Sequence, residues 1–290
     1  MRAVPPDPSR WPQSLASPPF DQFADLGALF AVPAFPAPAE LNPWLAAAWP
    51  ADLGPPPCFV DQAGLADGLH FEARIGERRQ ISTRARNWHD LYSAAAWMRF
   101  PRVKHALNRL QCVDLAAPRP PPEPGRPPQP RTRRQQSLTH VDEAGLFIAS
   151  SDPALLDRLE AHDWPALYGE VAAWCGPRPR IECRVFGHAL YELLMDPHLT
   201  LAGKAILVEV PKDWFTRPAA TREAALDQAI MTALLEQDLA ADPKDLPSLP
   251  LAGIPDWRAG NHDPEFLRSA PCFRPRPEGR EYRARLRIGR

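Results

Sequence analysis

Proline constrains this chain more than any other residue, filling 38 of its 290 positions. The usual share is roughly 5%. The excess sits in the first 60 residues and in 118–130, where eight of thirteen residues are proline. Each proline fixes its own φ and removes a backbone donor, so these stretches cannot run as helix or as the centre of a sheet. Regular structure must lie between them. The pattern predicts a Pro-rich arm over 1–60 with two short helices, a main α+β domain over 61–276 and a basic tail over 277–290. The Pro/Arg-rich segment 118–136 reads as a surface insertion within one domain, because loop insertions are thermodynamically cheap and its flanks carry no second self-contained pattern.

The chain as a whole is 44% hydrophobic and 24% charged, the composition of a globular protein. A formal net charge of −1 gives it no overall attraction to nucleic acid or to an anionic membrane. Its most apolar early stretch, 26–39, is broken by Pro33, Pro36 and Pro38 and falls short of the ~20 residues a spanning helix needs. Arg2 is followed by Pro5, Pro6 and Pro8 rather than by an apolar signal core. The expectation is a soluble, cytoplasmic protein. Five widely spaced cysteines without a Cys-x-x-Cys argue against a disulfide framework and a thiolate zinc site, and predict reduced, mostly buried thiols.

Periodicity predicts the elements. In the arm, 21–30 and 42–49 carry helical spacing, the second with Pro43 at its first turn. Alternation over Leu69, Phe71, Ala73 and Ile75, a polar stretch, and Gln80 to Thr83 predict a hairpin. Helices follow over 87–98 and from Pro101 to about Cys112. A second hairpin is expected from 137–141 and 146–149, turning at Asp142-Glu143-Ala144-Gly145, with Gly145 supplying positive φ. Helices at 153–161, 165–174, 188–195 and 220–239 and strands at 181–186 and 205–210 complete the pattern. Hairpins mixed with unevenly spaced helices imply an α+β single domain, a short mixed sheet packed by several helices, rather than a βαβ repeat.

Three polar blocks and one basic set stand out. Arg84, Asn87, His89 and Asp90 sit at a helix start, where Asn87 and Asp90 suit capping and His89 does not. His188 and Glu192 lie one helical turn apart and share a face, so both can reach one ion or one water. Asp142 and Glu143 are adjacent carboxylates, which suit a hard cation as well as a turn. Arg131, Arg133, Arg134, Lys104 and Arg274 are suited to phosphate or carboxylate. No Gly-x-Ser-x-Gly elbow, Walker loop or Gly-x-Gly-x-x-Gly occurs.

Together these blocks resemble a bacterial family known as domain of unknown function 3025. The resemblance runs from about Phe71 to Arg276. It rests on Arg84, Asn87-Trp88-His89-Asp90, Phe100-Pro101 with Lys104, Leu138-Thr139, Asp142-Glu143 with Gly145, and Gly187-His188 with Glu192. It closes on Gly253-Ile254-Pro255 with Trp257, Asn261 and Phe273-Arg274-Pro275. Ser93 and Asp256 depart from the expected pattern without touching the polar candidates. The resemblance implies no activity; it implies that the blocks belong to one pattern and meet in space.

The resulting expectation is a metal-dependent enzyme, hydrolase-like, with a divalent metal ion as cofactor and an anionic small molecule as substrate, and with neither membrane nor nucleic acid as partner. His89, His188, Glu192 and either Asp90 or Asp142 would hold the ion. Glu143 would be the general base, with Asp142 the other catalytic carboxylate. Arg84, Lys104, Arg133 and Asn87 would position the anion. Two histidines with carboxylates also suit non-haem iron. A metal-free small-molecule binder, or a structural protein whose polar blocks lock helices to a sheet, are the alternatives.

Overall fold

The structure, a computed structural model, describes residues 17–30, 35–118, 131–196, 198–261 and 263–289. Most of the predicted insertion and the first part of the arm lie outside them. The fold is a single α+β domain with small mixed sheets. In the arm, a 3-10 stretch over Phe20–Leu26 leads to Gly27–Phe30, and α1 spans Asn42–Ala48. Strand β1 (Cys58–Asp61), helix α2 (Phe71–Arg78) and strand β2 (Gln80–Thr83) come next, followed by α3 (Trp88–Arg99) and α4 (Pro101–Ala116). Helix α5 (Arg133–Ala144) runs directly into β3 (Gly145–Ser150). Then come α6 (Pro153–Ala161), α7 (Trp164–Gly169), α8 (Val171–Cys175), β4 (Ile181–Val185), α9 (His188–Leu194) and β5 (Ala202–Glu209). The chain ends with α10 (Ala219–Glu236), β6 (Ser248–Pro250), α11 (Pro264–Ser269) and β7 (Leu286–Arg287).

Strand β3 is buried along its whole length because both faces of its sheet are covered. It pairs antiparallel with β4 and parallel with β5, which carries β6 and β7 on its other edge. Successive side chains of a strand point to opposite faces, so alternate residues enter two different cores. Leu146 and Ile148, with Ala205 and Leu207, pack with α3, α9 and the aromatic residues of the arm. Phe147 and Ala149, with Ile206 and Val208, pack with α4, α5 and α10.

Neither predicted hairpin forms. Residues 71–78 are helix, started by His70, whose Nδ1 accepts from Glu72 N, and ended by Arg79 at φ 53°. The apolar alternation is too short to outweigh those caps, and the helix buries Ile75 together with Arg74, which pairs with Asp67. Strand β2 pairs in parallel with β1 instead. Residues 133–144 are also helix. A capping box of Thr132 and Gln135 starts it, a start signal present in the sequence. Asp142-Glu143-Ala144-Gly145 is thus a helix end rather than a turn. Gly145 has φ −71°; it is required for room, since a Cβ there would lie 2.4 Å from the Val141 carbonyl oxygen. The predicted helix over 165–174 is split into α7 and α8. The cysteines are free, but only Cys183 and Cys272 are buried, and Cys175 is exposed.

Helix α4 begins after Phe100, which has no capping oxygen. A carboxylate on α10 replaces it: Asp227 accepts from Val103 N at 2.9 Å and Arg102 N at 3.1 Å. Burial pushes Asp227 up to about 7, more than these hydrogen bonds lower it. A carboxyl raised above its unfolded value of 3.8 favours folding while it stays protonated and loses that contribution as pH rises toward 7. The stability difference between wild type and Asp227→Asn, measured by urea unfolding, should therefore move in the variant's favour from about pH 4 to pH 7 and then level off. A difference independent of pH would contradict this.

Candidate metal centre

Two helices and one helix end build the site. Helices α3 and α9 pack against each other through Tyr92 and Tyr191, whose rings stack at 5.4 Å, with Phe23 of the arm against both. His89 precedes Tyr92 by three residues, and His188 precedes Tyr191 by three. Residues three apart share a helix face, so this aromatic contact carries the two imidazoles to each other. Their ring centroids are 4.4 Å apart and their Nε2 atoms 3.1 Å apart. The end of α5 is the third component. Gly187 lies so close to it that a Cβ would fall 2.4–2.5 Å from backbone atoms of Ala144 and Gly145. Gly187 N also donates to the Gly145 carbonyl oxygen at 2.9 Å. Glu143 is thereby set beside the histidines, with Oε2 at 3.9 Å from His89 Nε2 and 3.7 Å from His188 Nε2.

His89, Glu143 and His188 each offer a ligand atom, and these atoms all lie within 4.8 Å of one another. Nitrogens bound at about 2.0–2.1 Å to one tetrahedral ion stand roughly 3.3–3.4 Å apart, close to the observed 3.1 Å. The far nitrogens of both rings face carboxylates. Glu192 Oε2 lies 3.5 Å from His89 Nδ1, and Asp142 Oδ1 lies 3.9 Å from His188 Nδ1. Both contacts are longer than a hydrogen bond, and His188 Nδ1 is buried without a hydrogen-bond partner, so the carboxylates stand beside the rings at the places from which they orient metal-ligating histidines.

Charge and burial set the protonation states. Burial pulls His188 down to about 3, an effect the nearby Asp142 only partly opposes, so the ring is neutral, as a metal ligand must be. Burial works to raise Asp142, but the Lys104 ammonium, 2.6 Å from Oδ1, and the two imidazoles together outweigh it and hold the carboxyl below its ordinary value. Glu143 moves the other way, raised by burial and by the charge of Asp142 against the pull of His89.

The remaining predicted residues have other partners. Asp90 is not in the ligand group: it receives Arg84 through backbone N at 2.6 Å and through the guanidinium at 2.6 Å. Asn87 caps α3 by accepting from Asp90 N at 3.0 Å. Lys104 is buried under Trp97 and committed to Asp142. Glu192 lies one turn from His188, yet its carboxylate backs His89 on the other helix. Arg133 points elsewhere and pairs with Asp242 at 2.5 Å.

The centre opens into a cavity of about 660 Å³ between α2, β2, α3 and α5. Two arginines line it: Arg84, which is paired with Asp90, and Arg131, which donates to Thr139 Oγ1 at 3.3 Å and has no carboxylate partner among the described residues. Glu72 lines it as well, accepting from Asn108 Nδ2 at 2.7 Å, and burial raises its carboxyl above the ordinary value. Glu72 and His70 escape the sequence reading because their segment reads as a strand there.

A family model described as Protein of unknown function (DUF3025) matches residues 58–277, which include every residue of this centre and its cavity. No curated protein and no solved structure matches the chain. With most of its length matched, the chain belongs to the DUF3025 family.

Proposed function

We propose that this chain is a metal-dependent enzyme of the hydrolase type acting on an anionic small molecule, with His89, His188 and Glu143 as the ligands of a divalent ion. One observation carries the reading: two Nε2 atoms and one carboxylate oxygen converge, and each imidazole has a carboxylate behind it. A divalent ion held here supplies a water whose pKa is lowered toward neutrality. Three protein ligands leave a position open toward the cavity, as catalytic sites do. Arg131 binds the anionic group of the substrate, and Glu72, whose carboxyl leans to the protonated form, gives a proton to the leaving group.

The test is metal uptake by protein purified without a polyhistidine tag, stripped with chelator and dialysed against zinc, manganese or ferrous iron. One ion per chain, and metal-dependent hydrolysis of a phosphomonoester or carboxylate ester that falls at least ~100-fold in Arg131→Ala, is the expected outcome. Protein that takes up none of the three ions would overturn the reading. The 3.1 Å contact between the imidazoles would then be an N–H···N hydrogen bond within a metal-free pocket.

A further inference from the structure

A second cavity, of about 360 Å³, shares no lining residue with the first. It lies where β5 meets β6, closed on one side by the loop into α7 and on the other by the segment 271–282. Its size is at the lower end of ligand pockets, about 300–1,000 Å³. Lys204, Arg274 and Arg280 line it, and no aspartate or glutamate does among the described residues. His162, Trp164 and Tyr282 form its aromatic side, with His162 Nε2 and the Tyr282 hydroxyl 2.8 Å apart.

Among the described residues, none of the three cations has a carboxylate within ion-pair distance. Lys204 Nζ is half-buried and donates to the carbonyl oxygens of Pro243 at 3.1 Å and Leu246 at 3.4 Å. An ammonium carries three donors, so one remains. Among the described residues, the Arg280 side chain donates to the Lys244 carbonyl oxygen at 3.4 Å. The Arg274 guanidinium has no partner among the described residues, while its backbone carbonyl is fixed by Trp164 Nε1 at 2.7 Å. Burial lowers Lys204, and the Arg280 charge lowers it further. A half-buried ammonium with a second positive charge near it and no acid in the lining is a place that an anion would stabilise. Elsewhere in the chain arginines find carboxylates readily, as Arg285 does with Asp157 and Glu160.

We propose that this cavity is a binding site for the phosphate group of a small organic phosphomonoester, held by Lys204, Arg274 and Arg280 with its organic body against the aromatic side. The motif Phe273-Arg274-Pro275, which the metal centre leaves unused, then acquires a role, since Arg274 and Pro275 line the recess.

The experiment is calorimetric titration of the full chain in a His89→Ala/His188→Ala/Arg131→Ala background, which removes both the metal ligands and the anion-binding arginine of the first cavity. Phenyl phosphate and inorganic phosphate are the two probes. Saturable binding of one phenyl phosphate per chain, weakened about tenfold by Arg274→Ala and again by Arg280→Ala, is expected. Both arginines sit at the rim, so the variants should unfold at the wild-type temperature. Tighter binding of phenyl phosphate identifies an organic phosphate, and equal binding identifies the free ion as the source of the same chemistry. Absence of saturable binding by either probe at millimolar concentration would overturn the proposal, as would affinities unchanged in both arginine variants and in Lys204→Met. Binding seen only when the histidines and Arg131 are intact would overturn it as well, placing the phosphate at the metal centre.

Discussion

Protein carrying His89→Ala together with His188→Ala is expected to bind no divalent ion under conditions in which the wild type holds one per chain. Removing two of three ligands leaves only Glu143, and a single carboxylate has no useful affinity in competition with water. The graded companions are Asp142→Asn and Glu192→Gln, which keep shape and hydrogen-bonding capacity but lose charge. Each should weaken binding about 10–100-fold without abolishing it, because each carboxylate acts through one imidazole. Asp142→Asn also leaves the buried Lys104 ammonium without its ion pair, so it should cost stability as well, about 3 kcal/mol. Glu192→Gln should cost little, since Gln keeps the shape of Glu192 and strands no buried cation, its contact to His89 being 3.5 Å. Metal titration and urea unfolding on the same four proteins separate the two effects. Loss of stability across the series with no change in metal content would mean that the histidines are structural.

The second large effect is expected from a methyl group. Gly187→Ala places a Cβ 2.4 Å from Ala144 Cα and 2.5 Å from the backbone nitrogens of Ala144 and Gly145. These are backbone atoms inside a helix–strand junction, so no rotamer change relieves the contact. The junction must open, at about 3 kcal/mol, and opening separates Glu143 from His188. The variant should unfold at lower urea and bind metal at least ~100-fold more weakly even where it remains folded. Gly169→Ala is the control. Its Cβ meets nothing within 4 Å, and at a helix end alanine is as good as glycine or better. Equal metal affinity in the Gly187 variant and the wild type would show that the junction does not position the site.

Much of this architecture is readable from the chain alone. Helices α3, α4 and α10 follow from apolar spacing, and α6 from Asp152, whose side chain accepts from Ala154 N ahead of Pro153. The histidines and the Asp142-Glu143 pair stand out because imidazoles and adjacent acids are rare beside so many apolar positions. Helices α2 and α5 are misread as hairpin strands because four alternating apolar residues in one, and a five-residue stretch holding Leu138, Thr139 and Val141 in the other, fit both periods over so short a span. For α5, the Thr132–Gln135 box points the other way. Of the arginines that the sequence singles out, Arg84 and Arg131 line the cavity, whereas Arg133, in the first turn of α5, pairs with Asp242 away from it.

By itself the amino-acid order determined the spans of the longer helices, the breaks imposed by proline and the chemical types available for a site. Only the tertiary structure decided which carboxylate serves which imidazole. His89 and His188 are 99 positions apart in the chain, and what joins them is the stacking of Tyr92 on Tyr191 and the contact of Gly187 with the end of α5. Local propensity acts over a few residues. The placement of Glu143, Asp142 and Glu192 depends on how three elements pack, and that depends on burial summed over the whole core.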